Sequence, residues 1–205
     1  MILETPRLLL REMTDEDFSA LHAILSDPET MKYYPKPYDE SGTRRWINWC
    51  RESYQKNGFG LWAVTLKDTG EFIGDCGISL QPIHGEWLPE IGYHIRKDHW
   101  RKGYASEAAA ACIRLAFEQF DFPAVYSYMK HTNEPSWRTA MKNGMILVEE
   151  YDDPVNTRTR VYAITREAWR IAGTCEYAIR CVENVQNGQR ASEWDRNPAM
   201  DMHGA

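Results

Sequence analysis

HWRKGYASEAAAACIRLAFEQF, residues 99–120, changes character at Tyr104. It opens as a basic, aromatic turn carrying Arg101, Lys102 and Gly103, and it continues as an alanine-rich segment. Alanine is the strongest helix former, so a helix is expected from about Tyr104. The first turn of a helix leaves backbone N–H groups without intrahelical partners, and the aligned peptide dipoles place about half a positive charge there. Gly103 permits a tight turn with positive φ and close backbone approach. A helix start of this kind, fronted by cations, suits a phosphate or pyrophosphate. On this stretch alone two readings stand: a phosphate cradle, or a good helix preceded by solvated charges. The P-loop pattern Gly-x-x-x-x-Gly-Lys and the dinucleotide pattern Gly-x-Gly-x-x-Gly are both missing from it.

The neighbouring segments predict a mixed α/β chain. RLLLRE at residues 7–12 reads as a first strand. Thr14, with Asp17 three residues on, reads as a capped helix start, and Phe18, Leu21, Ile24 and Leu25 repeat at helical spacing. The proline-broken aromatic stretch MKYYPKPYDESG is a loop, and Ser41 is the expected cap of a second helix ending at Asn57-Gly58. Two apolar runs around Lys67-Asp68-Thr69-Gly70 predict a hairpin, and EWLPEIGYHIRKD is a further extended run, with Pro89 marking a bulge or irregular edge. After the alanine-rich helix come a strand (PAVYSYMK), a helix (NEPSWRTAMKNG), and the strands MILVEEY and TRTRVYAIT. The expected fold is α/β (α+β): a mixed, mostly antiparallel twisted sheet of about seven strands with helices on both faces. Residues 1–172 form this domain; residues 173–205 read as a short helix followed by a polar, loosely held tail, or as an oligomer arm.

Composition sets the outer limits. The chain has 205 residues, 43% of them hydrophobic, enough for one real core. Its formal charge of −6 argues against nucleic acid as the main partner, although a pocket needs only local positive potential. No apolar run reaches membrane-span length, and MILETPRLLLRE lacks the order of a signal peptide. Cys50, Cys76, Cys112, Cys175 and Cys181 are scattered, without metal-ligand spacing, which points to reduced thiols in the cytoplasm and no metal.

IGYHIRKDHWRKGYASEAAAACIRLAF resembles the acyl-CoA-binding segment of the GNAT superfamily of N-acetyltransferases, in the branch of the ribosomal-protein N-terminal acetyltransferases. That family's signature is Arg or Gln, two variable residues, Gly, one variable residue, then Gly or Ala. Gly103 and Ala105 match it, while Trp100 stands at the first position. The resemblance spans about residues 6–170 and includes TPRLLLRE and NEPSWRTAMKNGM. It implies acetyl-CoA as co-substrate, with the backbone of Arg101, Lys102, Gly103, Tyr104, Ala105 and Ser106 on the pyrophosphate. Main-chain groups of Ile95 and Arg96 would pair with the pantetheine arm, and Asn133 and Ser136 would also meet the cofactor.

Acetyl transfer to an amine needs a proton acceptor, a donor to the carbonyl oxygen and a proton for the departing thiolate. Glu90, among Leu88, Ile91 and Tyr93, is the first candidate base, since desolvation raises a carboxyl pKa. His94, on the same strand, is the second, with a plain surface histidine as its bland alternative. The resemblance puts a catalytic tyrosine at position 140, but Ala140 occupies it, so Ser136 is the candidate acid or sulfur contact. Asn133 and Ser136 also read simply as helix-start residues. The resemblance implies an acceptor pocket shaped by the first two helices and their loop, where Tyr33, Tyr34 and Tyr38, joined by Trp87, are expected to line it, with Trp46 and Trp49 read as core. The expected function is acetylation of a primary amine, a protein N-terminus or a small molecule, through a ternary complex, by a monomer or homodimer. The competing reading is a non-catalytic acyl-CoA sensor or complex subunit.

Overall fold

The computed structural model describes residues 2–83 and 85–172; the expected tail, with Cys175 and Cys181, lies outside the described residues. Two strands open the chain, β1 (Ile2–Glu4) and β2 (Leu8–Arg11), paired antiparallel with Ile2 opposite Arg11. Leu8 and Leu10 are fully buried while Leu9 and Arg11 are half-buried, the alternation of a strand with one face on the core. The further strands are β3 (Leu61–Leu66), β4 (Phe72–Ile83), β5 (Glu86–Ile95), β6 (Ala124–Lys130), β7 (Ile146–Asp153) and β8 (Thr157–Thr165). The sheet therefore has eight strands, in the order β1-β2-β3-β4-β5-β6-β8-β7, rather than about seven. The additional one is β1: three residues are too few to show a period, so pairing with β2 alone defines it. The sheet is mostly antiparallel; β5 and β6 pair parallel, with Glu90 opposite Tyr126.

The helices are α1 (Phe18–Leu25), α2 (Glu40–Asn57), α3 (Tyr104–Gln119), α4 (Glu134–Lys142) and α5 (Arg166–Ala172). The expected helix start at Thr14 is a 3₁₀ turn, Asp15–Asp17, leading into α1. Asp17 holds this joint: its carboxylate accepts from both terminal nitrogens of Arg11 at 2.7 Å and from the Thr14 amide at 2.9 Å. The cap of α2 is Asp39, not Ser41: Asp39 Oδ1 accepts the Gly42 amide at 2.7 Å, the shorter reach that a carboxylate in extended backbone offers. Trp46, Ile47 and Cys50 form the buried stripe of α2, each side chain of this kind contributing about 1.5–3 kcal/mol.

The chain divides into two compact units. Among the described residues the first comprises 2–79 and 91–113, and the second 80–83, 85–90 and 114–172. In the first unit β1 to β3 pair in sequence, and the Leu66–Glu71 turn closes the predicted hairpin. In the second, β6, β8 and β7 form an antiparallel group, with Asp153 accepting the Val155 and Asn156 amides in the tight β7–β8 turn.

Candidate active site

In the first unit the segment after β5 forms a 3₁₀ turn, Lys97–His99, and then the basic loop. Two residues of that loop are left-handed: Arg101 at φ 62° and Gly103 at φ 84°. Gly103 adopts this without penalty, as expected; for Arg101 it is uncommon and was not legible in the sequence. Left-handed residues in such a turn swing successive amides toward one side, a concave anion site. Among the described residues, no carbonyl or side chain accepts from the backbone N–H groups of residues 101–106.

The acid of the first helical turn does not fill that role. Glu107 accepts instead from Thr5 Oγ1 at 2.6 Å, the Arg7 amide at 2.9 Å and Arg7 Nε at 2.6 Å. Arg7 also donates to the Lys102 carbonyl at 2.9 Å and lies 4.4 Å over the Tyr104 ring. Burial pushes the Glu107 pKa up, but the three donors outweigh it and the net shift is downward. The Glu107 charge is thereby committed to the β1–β2 turn, and it does not cap the start of α3. Sequence reasoning missed this tie because Thr5 and Glu107 are a hundred and two positions apart. The side chains of Arg101 and Lys102 are exposed. His99 Nδ1 at the root of the loop is buried and has no hydrogen-bond partner among the described residues.

The main chain of Ile95 and Arg96 is less available than the resemblance implies. The Arg96 amide donates to Ile73 O at 2.8 Å, its carbonyl accepts the His99 amide at 2.9 Å, and the Ile95 carbonyl accepts the Trp100 indole. The Arg96 guanidinium is taken up by Asp98 and Glu71, which raise its pKa.

The aromatic residues of the loop between α1 and α2 reach this region. Lys97 pairs with Asp27 at 2.9 Å, and Lys32 lies 5.9 Å from the Trp100 ring, so the two loops are tied together. The Lys97 bond, with hydrogen bonds from Thr30, brings the Asp27 pKa down to about 2. Tyr33 lies under Lys32, and Tyr38 packs on Trp46 with ring centroids 5.8 Å apart. Tyr34 Oη sits 2.7 Å from His94 Nε2. His94 is buried, not a surface histidine, and its Nδ1 is 2.8 Å from Asp75 Oδ1. Trp46 is core as read, and Trp49 is half-buried against it.

In the second unit Glu90 and Trp87 are half-buried on β5. Burial raises the pKa of Tyr126, the residue opposite Glu90. Asn133 caps α4, its Oδ1 accepting the Ser136 amide at 3.3 Å. Ser136 is half-buried in the first turn, and Ala140 is buried. The structure thus gathers residues 101–106 and, separately, Tyr34 with His94 in the first unit; in the second it pairs Asn133 with Ser136. A crevice of about 340 Å³ lined by Glu12, Met13, Thr14, Asp15, Arg51, Tyr54 and Gln55 contains none of these residues. Among the described residues no helix is long and apolar enough to cross a membrane, and no group of His, Cys, Asp or Glu could hold a metal ion.

Residues 7–146 match the family model described as acetyltransferase (GNAT) domain. The uncharacterized N-acetyltransferase YoaA of Bacillus subtilis (strain 168) is 32% identical over 173 residues, 80% of this chain and 97% of that protein. The crystal structure of a GNAT-family acetyltransferase from Bacillus anthracis superposes with a TM-score of 0.70 at 28% identity, covering 82% of this chain and 99% of that one. RimL, a ribosomal alpha-N-protein acetyltransferase in complex with coenzyme A, shares the fold at 17% identity and a TM-score of 0.68, covering 80% of this chain and 98% of its own.

Proposed function

The chain belongs to the GNAT family of acetyltransferases, and we propose that it moves the acetyl group of acetyl-CoA directly onto a primary amine in a ternary complex. Members of this family use acetyl-CoA as acetyl donor, and acetyl transfer is the chemistry of this chain. The observation that carries the cofactor assignment is the set of amides at residues 101–106 with no acceptor among the described residues, following left-handed Arg101 and Gly103. These amides, with the exposed Arg101 and Lys102, fit a pyrophosphate in charge and in hydrogen-bond direction. Asn133 and Ser136 are proposed to meet the pantetheine end. The engaged main chain of Ile95 and Arg96 makes their proposed contact the weakest of the set.

Bound acetyl-CoA supplies an activated carbonyl and a good leaving group. Glu90 is proposed to take a proton from the amine nitrogen through water, and Ser136 to donate toward the sulfur, in place of the tyrosine replaced by Ala140. Tyr33, Tyr34, Tyr38 and Trp87 are proposed to contact the acceptor, whose ammonium suits aromatic faces. The buried free thiols Cys50, Cys76 and Cys112 support a reducing, cytoplasmic setting.

Titration calorimetry of the full chain with acetyl-CoA and with CoA tests the reading: saturable binding of both is expected, and no binding of either overturns it. A sensor reading keeps one point in its favour, the missing tyrosine. It separates from the enzyme in a thiol-release assay over a panel of amines, where binding without turnover on any amine would select the sensor.

A further inference from the structure

The first unit holds a polar chain inside its core that acetyl-CoA binding does not use. Asp75 on β4 has no exposed surface, and its carboxylate accepts three N–H donors. Oδ1 takes the His94 amide at 3.0 Å and His94 Nδ1 at 2.8 Å, and Oδ2 takes the Trp46 indole at 2.8 Å. Among the described residues no Lys or Arg touches it. A carboxylate acceptor fixes the hydrogen of His94 on Nδ1 and turns Nε2 into an acceptor. Nε2 meets the Tyr34 hydroxyl at 2.7 Å. The Tyr34 ring is half-buried, so the chain runs from a sealed carboxylate outward to the loop that the Lys97–Asp27 pair ties to the basic turn before α3. The imidazole has little freedom to turn: Tyr34 and Trp46 each hold it at a centroid distance of 5.3 Å.

A buried carboxylate, an oriented imidazole and a hydroxyl in series have the construction of a proton acceptor. We propose that Asp75, His94 and Tyr34 form a relay that strips the incoming ammonium of its first proton. This deepens the amine-acetylation reading above and rests on it. An ammonium sheds two protons from nitrogen on becoming an amide: one to expose the lone pair, one as the C–N bond forms and the C–S bond breaks. The first passes to Tyr34 Oη while the Tyr34 hydroxyl proton passes to His94 Nε2; the resulting imidazolium faces the Asp75 carboxylate. The second leaves the nitrogen as the C–N bond forms and ends on the departing sulfur. After product leaves, His94 returns its proton through Tyr34 to water, so the reaction releases one proton net.

The other titratable groups packed around the relay are Tyr38 from the same loop, Cys50 and Tyr54 from α2, and Cys76 beside Asp75. Burial is the main cause raising the pKa of each, and the Asp75 charge adds to it, so all four stay protonated near neutral pH. His94 is therefore the group in this cluster placed to accept a proton. Tyr34 is the member that meets substrate; His94 and Asp75 are positioning residues acting through it.

Two measurements on the full chain test the relay. Nitrogen NMR of labelled histidine near neutral pH is expected to show His94 protonated on Nδ1, with an Nε2 resonance that moves in Tyr34→Phe; a proton on Nε2, or an unmoved resonance, overturns the relay. Tyr34→Phe keeps the ring packing and is expected to lower kcat about 100-fold on spermidine or on a short peptide with a free serine N-terminus, whichever the wild type accepts. Its KM for acetyl-CoA should stay within about twofold. His94→Gln, checked for native folding by circular dichroism, is expected to lower kcat similarly. Full turnover by Tyr34→Phe sinks the relay and leaves the acetyltransferase reading standing. Binding of acetyl-CoA with neither amine acetylated by the wild type sinks the amine reading, and the relay with it.

Discussion

At Gly103 the backbone sits at φ 84°, where a side chain is disfavoured. Gly103→Ala is expected to cost about 1–2 kcal/mol in that turn and so to weaken acetyl-CoA about tenfold by calorimetry. An unchanged Kd would show that the turn conformation does not govern binding. Glu90→Gln is expected to lower kcat about 100-fold with acetyl-CoA affinity unchanged; lost affinity instead would make Glu90 structural. Gly103 and Asn133 were readable in the sequence because turn and cap chemistry are local properties. The left-handed Arg101 was not, since nothing in an arginine side chain asks for that conformation.

At the scale of elements, β4 and β5 approach so closely at Gly74 that a Cβ there would lie 2.0 Å from the His94 carbonyl oxygen. Backbone cannot yield as a side chain does, so Gly74→Ala is expected to lose about 2–4 kcal/mol of stability, measured by urea unfolding. An unchanged midpoint would mean that the strands separate freely. The start of α3 depends on a second tie, the carboxylate of Glu107 held by Thr5 and Arg7. Glu107→Gln keeps the shape and removes the charge, and is expected to cost about 1.5–3 kcal/mol. The helix itself was legible from its alanines. The direction in which its one first-turn acid points was not, because the partners are supplied by β1 and β2.

For the whole molecule, acid stability follows from two carboxylates with little exposure. Burial raises the pKa of Asp17, but the Arg11 and Thr14 hydrogen bonds outweigh it and leave it below 3.8. Glu107 is likewise held below 4.5 by Thr5 and Arg7 against the pull of burial. A carboxyl whose pKa is lower folded than unfolded stabilises fully above its unfolded value, and this stabilisation is lost as pH falls through its folded value. The melting temperature is therefore expected to hold near neutral pH and to fall between about pH 5 and pH 2. Glu107→Gln should flatten that fall, and a variant titrating as steeply as the wild type would contradict the assignment.

The sequence by itself determined the succession of strands and helices from β2 to α5, the hairpin at Gly70, the basic, glycine-containing turn before α3 and the likeness to acetyltransferases. Each rests on hydrophobic period, turn residues or a contiguous motif, whose physics acts within a few positions along the chain. Tertiary structure alone decided that β1 joins the sheet, that Glu107 turns to Thr5 and Arg7 and away from the helix start, that Arg96 is occupied, and that Asp75, His94 and Tyr34 meet. Those outcomes depend on which distant groups share a buried volume: Tyr34 and His94 are sixty positions apart, and a burial penalty can be relieved by any donor that packing brings within reach.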